Sequence, residues 1–314
     1  MEQNRARMSV PCGWQPMDIL DFLRTVYTPH RLGLSAATQQ QYSIACRSLE
    51  RFSGHPVAVA DLSDELILPW LSARLQQVSA RSVKRERGDV LTIWRFAAKK
   101  RYCQPPCDIP PVKVPRKLPV AWRLTDVEAI LSTCRRLPGR MRGTEIRRSA
   151  WWSSLILFLY DSGARIQAAL TLPSRALCIA ERYAVLPAES SKTGCEQVCN
   201  LSDQTIAAIA AHYSSDRELI WPYEYGRRQI WVQFKAILKR AELPVDRYHM
   251  FHCFRRTSGS LLQANGGDAC SHLGHSSPAI TRHYYLDPRI VGGGQVDRLP
   301  RPRAGASERQ LRLF

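Results

Sequence analysis

Six of the fifteen residues from 105 to 119 are proline: Pro105, Pro106, Pro110, Pro111, Pro115 and Pro119. Proline has no backbone N–H and a fixed φ, so this stretch can be neither a helix interior nor a central strand. An extended, semi-rigid connector is what remains, and Lys113, Arg116 and Lys117 make it basic. The chain is thereby cut into two folding segments, and its 314 residues are enough to give each a core. The organisation expected is an N-terminal tail (1–16), a helical domain (17–104), the linker (105–119), a second domain (120–290) and a C-terminal tail (291–314).

The first segment reads as about four helices. Ile19, Leu20, Phe22, Leu23, Val26 and Tyr27 recur at helical spacing, and Pro29 and Gly33 end that run. Ser35 is an N-cap for a helix bearing Tyr42, Ile44, Ala45, Leu49 and Phe52, and Gly54 and Pro56 stop it. A third helix holds Leu66, Ile67, Trp70, Leu71 and Leu75; a fourth, from about Ser79 to Tyr102, carries the apolar stripe Val83, Val90, Leu91, Trp94, Ala97 and Ala98. Residues 81–101 of that last helix hold eight basic side chains against Glu86 and Asp89. A charge run of this kind is commonly just a solvated face. Here it belongs to a chain with 45 Lys+Arg against 27 Asp+Glu, net charge +18. Such a surplus attracts polyanions, duplex DNA first among them, and the basic helix fits phosphate contact. Two domains on a basic strap could close around a duplex as a clamp; the plainer reading is a spacer.

No apolar run is long enough to span a bilayer, and residues 1–13 lack the apolar core of a signal peptide, so the expected location is the cytoplasm, in association with the nucleoid, with no membrane partner. The ten cysteines are irregularly spaced, which fits reduced, mostly buried thiols. Neither Cys103/Cys107 nor Cys195/Cys199 has a partner pair at zinc-finger spacing, and His249, His252, Cys253, His272 and His275 lack compact ligand spacing, so no metal or cofactor is expected.

In the second segment, Thr125 and Glu128 suggest a capping box. An apolar helix, Trp151 to Tyr160, meets Gly163, which marks a turn and sets Arg165 at the start of the next helix. Helix N-termini bind anions, and a guanidinium there adds a fork suited to phosphate. A hairpin follows (177–180 and 183–186), then Lys192 in the turn before a third strand (196–201). A turn lysine is usually solvated. Helices begin at Ser202 and near Ile230. The chain then packs phosphate-binding, proton-handling and nucleophilic groups into one span: His252 with Arg255, Leu273-Gly274-His275, and the adjacent Tyr284 and Tyr285.

Gly-x-Arg, Lys-Thr-Gly in a hairpin, His-x-x-Arg, Leu-Gly-His and a tyrosine nine residues later, in that order, resemble the tyrosine recombinase (phage-type integrase) family over about residues 17–290. The resemblance implies a mainly α fold with a small antiparallel sheet, built as an N-terminal helical core-binding domain and a helical catalytic domain. It implies cleavage and rejoining of double-stranded DNA through a 3′-phosphotyrosine, without metal or ATP. It also implies a dimer per site, a homotetramer on two sites, accessory DNA-bending proteins and a C-terminal tail that docks on a neighbouring subunit. Carried over by position, Arg165 and Arg255 grip the scissile phosphate, Lys192 protonates the leaving 5′ oxygen, His252 is the general acid/base, His275 hydrogen-bonds the phosphate and Tyr284 attacks. The interval selects Tyr284, with Tyr285 one residue out of register.

The chemistry asks for these residue types in any case. Attack on a phosphodiester builds negative charge on equatorial oxygens, which fixed guanidinium forks stabilise. A phenol with a pKa of about 10 needs a base or a cationic field, and histidine moves protons in the right range. No carboxylate cluster suits a two-metal route, and no glycine-rich phosphate loop is present. Two departures from the family pattern stand out. Ala168 sits three positions after Arg165, where the family carries an acid, and the segment 266–272 is short. Two other readings stay open: a type IB topoisomerase-like relaxing enzyme, and a DNA-binding protein on the same scaffold without catalysis.

Overall fold

The computed structural model describes residues 17–190, 194–224 and 226–292. The N-terminal tail, the C-terminal tail beyond Gly292, and Lys192 lie outside the described residues. The chain divides into two compact units, residues 1–116 and 117–314.

The first unit is helical. A short helix α1 (Ile19–Phe22), capped by the Asp18 carboxylate on Leu20 N, runs into a π-helical turn over Leu23–Tyr27. The sequence pattern suggested one uniform helix. The wider turn instead keeps Phe22, Leu23 and Tyr27 all in the core. Next come α2 (Ala36–Ser53), α3 (Asp64–Gln77) and α4 (Ala80–Lys99). Ser35 and Ser79 cap α2 and α4 by accepting from Thr38 N and Ser82 N, and left-handed Gly54 ends α2. The core gathers Phe22, Leu49, Trp70, Val90 and Trp94.

Glu86 and Asp89 do not lie on the outer face of α4. Both are buried. Arg74 of α3 grips the Glu86 carboxylate with Nε and Nη2, each at 2.9 Å, and Gln41 of α2 donates to Asp89 at 3.1 Å. The outer face therefore keeps Arg81, Lys84, Arg85, Arg95 and Lys99 with no acid among them.

Residues 104–123 form no helix or strand. Ile109 is buried in the core of the first unit, where Arg87 donates to its carbonyl, and the Asp64 carboxylate accepts Asp108 N at 2.8 Å. Trp122 belongs to the core of the second unit. Ile109 among the prolines and Trp122 just after them thus pack into the cores on either side of the strap.

The second unit begins with α5 (Leu124–Arg135), where the Asp126 carboxylate accepts Arg123 N at 2.9 Å. The reciprocal cap is therefore made by Asp126, which sits at the third helical position, and not by the Thr125–Glu128 pair read from the sequence. Helix α6 (Arg148–Ser162) is buried along most of its length, and α5, α8 (Asp203–Ala210) and α10 (His252–Ala264) pack around it. Trp152 of α6 stacks on Phe234 and Phe251 with ring centroids 6.1 and 6.3 Å apart. After α7 (Ile166–Leu170) come β1 (Leu177–Cys178), β2 (Tyr183–Leu186) and β3 (Gln197–Asn200). They form an antiparallel sheet in that order, with Ala184 opposite both Leu177 and Cys199. The remaining elements are α8 (Asp203–Ala210), α9 (Arg227–Arg240), α10 (His252–Ala264), α11 (Ala269–His272), α12 (Pro278–Tyr284) and α13 (Pro288–Val291). The short segment 266–272 is closed by α11, a single turn capped by the Asp268 carboxylate on Cys270 N and Ser271 N. Among the described residues no helix is long and apolar enough to cross a membrane.

Candidate active site

Helix α6 stops at Gly163, whose φ of +57° belongs to the left-handed region. The turn releases the chain so that Arg165 precedes α7 in extended conformation. A side chain at 163 would also collide with Leu273, because a Cβ there would lie 2.6 Å from Leu273 Cδ2. A Cβ at Gly259 of α10 would lie 2.8 Å from Leu273 Cδ1. Leu273 therefore fits a notch left by two glycines, which sets the Leu-Gly-His turn against both α6 and α10.

His252 and Arg255 lie three apart on α10 and so share a face. Arg255 is 1% exposed. Its Nη1 donates to Gly163 O at 2.7 Å, and its Nη2 donates to Leu273 O and contacts His275 Nε2 at 2.9 Å. One guanidinium thus joins the Gly-x-Arg turn, the His-x-x-Arg helix and the Leu-Gly-His turn. Its Nε, though buried, has no partner among the described residues. Such a donor is costly unless an acceptor arrives.

The electrostatics point the same way. Burial, then Arg256, Arg255, Arg165 and His275, push the His252 pKa down to about 4. Burial, then Arg255 and Arg165, push His275 down to about 4. Burial and then Arg165 lower Arg255 to about 10, against the opposing pull of the Tyr285 hydroxyl. Both imidazoles are therefore neutral at pH 7, while the arginines stay charged. Among the described residues the strongest charges acting on the two histidines are all cationic, which suits the cluster to an anion.

The two tyrosines part company. Tyr284, the last residue of α12, is 59% exposed. Tyr285 leaves the helix, and its ring packs against His275 (centroids 4.2 Å apart) and His252 (5.2 Å), with Arg255 Cζ 5.3 Å from its centroid. The structure thus brings Arg165, His252, Arg255 and His275 together and adds Tyr285, which the motif interval had passed over; Tyr284 stays outside. Lys192 falls in the connection between β2 and β3, outside the described residues. Ala168 is packed in the core.

A family model described as the phage integrase family matches residues 123–288. The chain belongs to the phage integrase family. All six residues singled out in the sequence fall within the matched segment, and the two buried-glycine contacts of Leu273 shape the part of this integrase that carries four of them. No curated protein matches the sequence. Among solved structures, the chain is similar to a lambda integrase dimer bound to a COC′ core site (TM-score 0.64, 17% identity, 83% of this chain and 92% of that one). It is also similar to the Tn1549 transposon integrase in complex with a circular intermediate DNA (TM-score 0.66, 13% identity, 90% and 100%). A third likeness is to a lambda integrase tetramer bound to a Holliday junction (TM-score 0.63, 17% identity, 82% and 76%). At these identities the likeness is one of fold: a mainly α chain with a small antiparallel sheet.

Several supporting residues of this integrase carry no sequence motif. Asp287 is buried, accepts Ala121 N at 2.9 Å and Arg289 Nε at 2.8 Å, and donates its own N–H to Ser260 Oγ at 2.8 Å. It ties the segment after the tyrosines to α10 and to the strap entering α5. Buried Thr281 lies 2.8 Å from His275 Nδ1. A hint for Asp287 was present, since Asp before Pro at a helix start is a common cap.

Proposed function

We propose that this chain is a site-specific tyrosine recombinase that cuts and rejoins double-stranded DNA at the cluster of Arg165, His252, Arg255 and His275. The observation that carries the reading is the buried Arg255, tied to three motifs, close to Arg165 and left with an unpartnered Nε. A phosphodiester supplies the missing negative charge and acceptor oxygens.

In this reading Arg165 and Arg255 hold the nonbridging oxygens, and their charge is worth most in the transition state. Tyr284 Oη attacks phosphorus, the bond to the 5′ oxygen breaks, and a 3′-phosphotyrosine forms. His252, neutral at pH 7, accepts the phenol proton; Lys192 donates one to the departing 5′ oxygen. Rejoining runs the same steps backwards, and the phosphotyrosine keeps the energy of the broken bond. Tyr284 must enter the pocket from its exposed position. A second reading is favoured by one observation: the ring of Tyr285 already lies against His275, His252 and Arg255, which makes it the rival nucleophile. The related complexes are dimers on a core site and a tetramer on a junction, and the same assembly, two protomers per site and four on two sites, is proposed here.

The test is a nicked suicide duplex from the native element end, assayed for a covalent adduct that survives denaturation. Loss in Tyr284→Phe with retention in Tyr285→Phe supports Tyr284; the reverse assigns Tyr285. Tight binding by wild type without any adduct sinks the catalytic reading.

A further inference from the structure

Thr281 is 3% exposed and sits on α12 one turn before the tyrosines. Its Oγ1 lies 2.8 Å from His275 Nδ1, while His275 Nε2 lies 2.9 Å from Arg255 Nη2. A guanidinium nitrogen can only donate. His275 Nε2 must therefore accept, and the ring proton of the neutral imidazole must lie on Nδ1, from which it is donated to Thr281. We propose that Thr281 is a positioning residue for the transesterification: it fixes the Nδ1–H form of His275 and links that histidine to the tyrosine-bearing helix.

The chemistry that follows is specific. As held in the DNA-free protein, His275 offers a lone pair at Nε2 and cannot donate from it to a phosphate oxygen. When a phosphodiester takes the Arg255 donor, Nε2 is released and takes up a proton from solvent, favoured by the new anion. The imidazolium then donates from Nε2 to the phosphate while Nδ1–H stays on Thr281. The groups facing His275 are Arg255 and His252 from α10, Arg165 before α7, Tyr285 after α12 and Cys270 of α11, whose Sγ donates to the His275 carbonyl at 3.4 Å. None of these is a carboxylate, so the phosphate is the anion that favours the second proton. Because Thr281 lies on the tyrosine helix, a displacement of α12 that carries a tyrosine into the pocket must turn the His275 ring with it for this contact to be kept. Ring orientation and nucleophile position are thereby coupled.

This inference rests on the recombinase reading for its catalytic consequence, but not for its first readout. Nitrogen-15 resonances of His275 in the DNA-free protein near pH 7 report which ring nitrogen carries the proton. The result expected is a protonated Nδ1 in wild type and in Thr281→Ser, and a mixed or inverted pattern in Thr281→Val. On the nicked duplex, Thr281→Val is expected to form adduct about tenfold or more slowly, with duplex affinity close to wild type, and Thr281→Ser to recover most of the rate. A wild-type proton on Nε2 would overturn the proposal even if Thr281→Val failed to fold. So would a folded Thr281→Val with an unchanged tautomer and unchanged adduct rate. A wild type that forms no adduct would count against the recombinase reading alone, and the resonances would still decide for or against Thr281.

Discussion

Arg255 commits donors to Gly163 O, Leu273 O and His275, and this cross-linking explains why three motifs far apart in sequence converge. It also makes the DNA-free site sensitive to protons. His252 and His275, held down to about 4, and His212, brought to about 4 by burial and then Arg217, all sit below their ordinary 6.5. A base depressed on folding leaves the unfolded chain binding more protons, so stability should be fully present above about pH 6.5 and fall steadily towards pH 4. Thermal unfolding across that window checks the sign, and a phosphate polyanion should flatten the slope by restoring charge to the site histidines. Gly163 belongs to this scale as well. Gly163→Ala combines a positive φ with the Leu273 contact, and a loss of roughly 1–3 kcal/mol in denaturant unfolding is expected. A change within about 0.5 kcal/mol would mean that Leu273 can move aside.

At the scale of elements, α4 shows how burial redistributes charge. In sequence Glu86 and Asp89 interrupt the basic run, yet both acids point inward to Arg74 and Gln41. The Arg74–Glu86 pair is largely buried, so removing one partner strands the other's charge. Arg74→Met should cost about 3–5 kcal/mol in urea unfolding, whereas Arg74→Met combined with Glu86→Leu should recover much of that loss. An equal loss in single and double variants would show that packing of the arginine stem, not charge, dominates.

For the whole molecule, the decisive quantity is the +18 charge and where it is displayed. The outer face of α4 carries Arg81, Lys84, Arg85, Arg95 and Lys99 without an acid, a surface suited to phosphate contact in the first unit. Lys84→Gln and Arg85→Gln should each weaken binding to any duplex and reduce the slope of log affinity against log salt by about one. Variants that leave the slope unchanged would assign α4 to solvent. Assembly belongs to this scale too: on a duplex carrying one site, sedimentation should show two protomers, and on a synthetic four-way junction, four.

Much of this was legible in the sequence because local physics decides it. Prolines exclude regular structure from 105–119, serines mark the starts of α2, α4 and α8, and Gly163 ends α6 for reasons confined to a few neighbouring residues. A spacing of three puts His252 and Arg255 on one helical face wherever that helix packs. Other features depend on groups distant in sequence. Whether Glu86 faces solvent or Arg74 depends on α3, and the cap of α5 depends on which of two nearby acids reaches a backbone N–H. The proton on His275 depends on Arg255 and Thr281 arriving from different helices. The choice between Tyr284 and Tyr285 falls at the residue where α12 ends, so helical periodicity no longer dictates side-chain direction. Sequence determined the elements and the chemical kit; tertiary packing decided which charges remain unpaired, and unpaired positive charge is what suits the pocket to an anion.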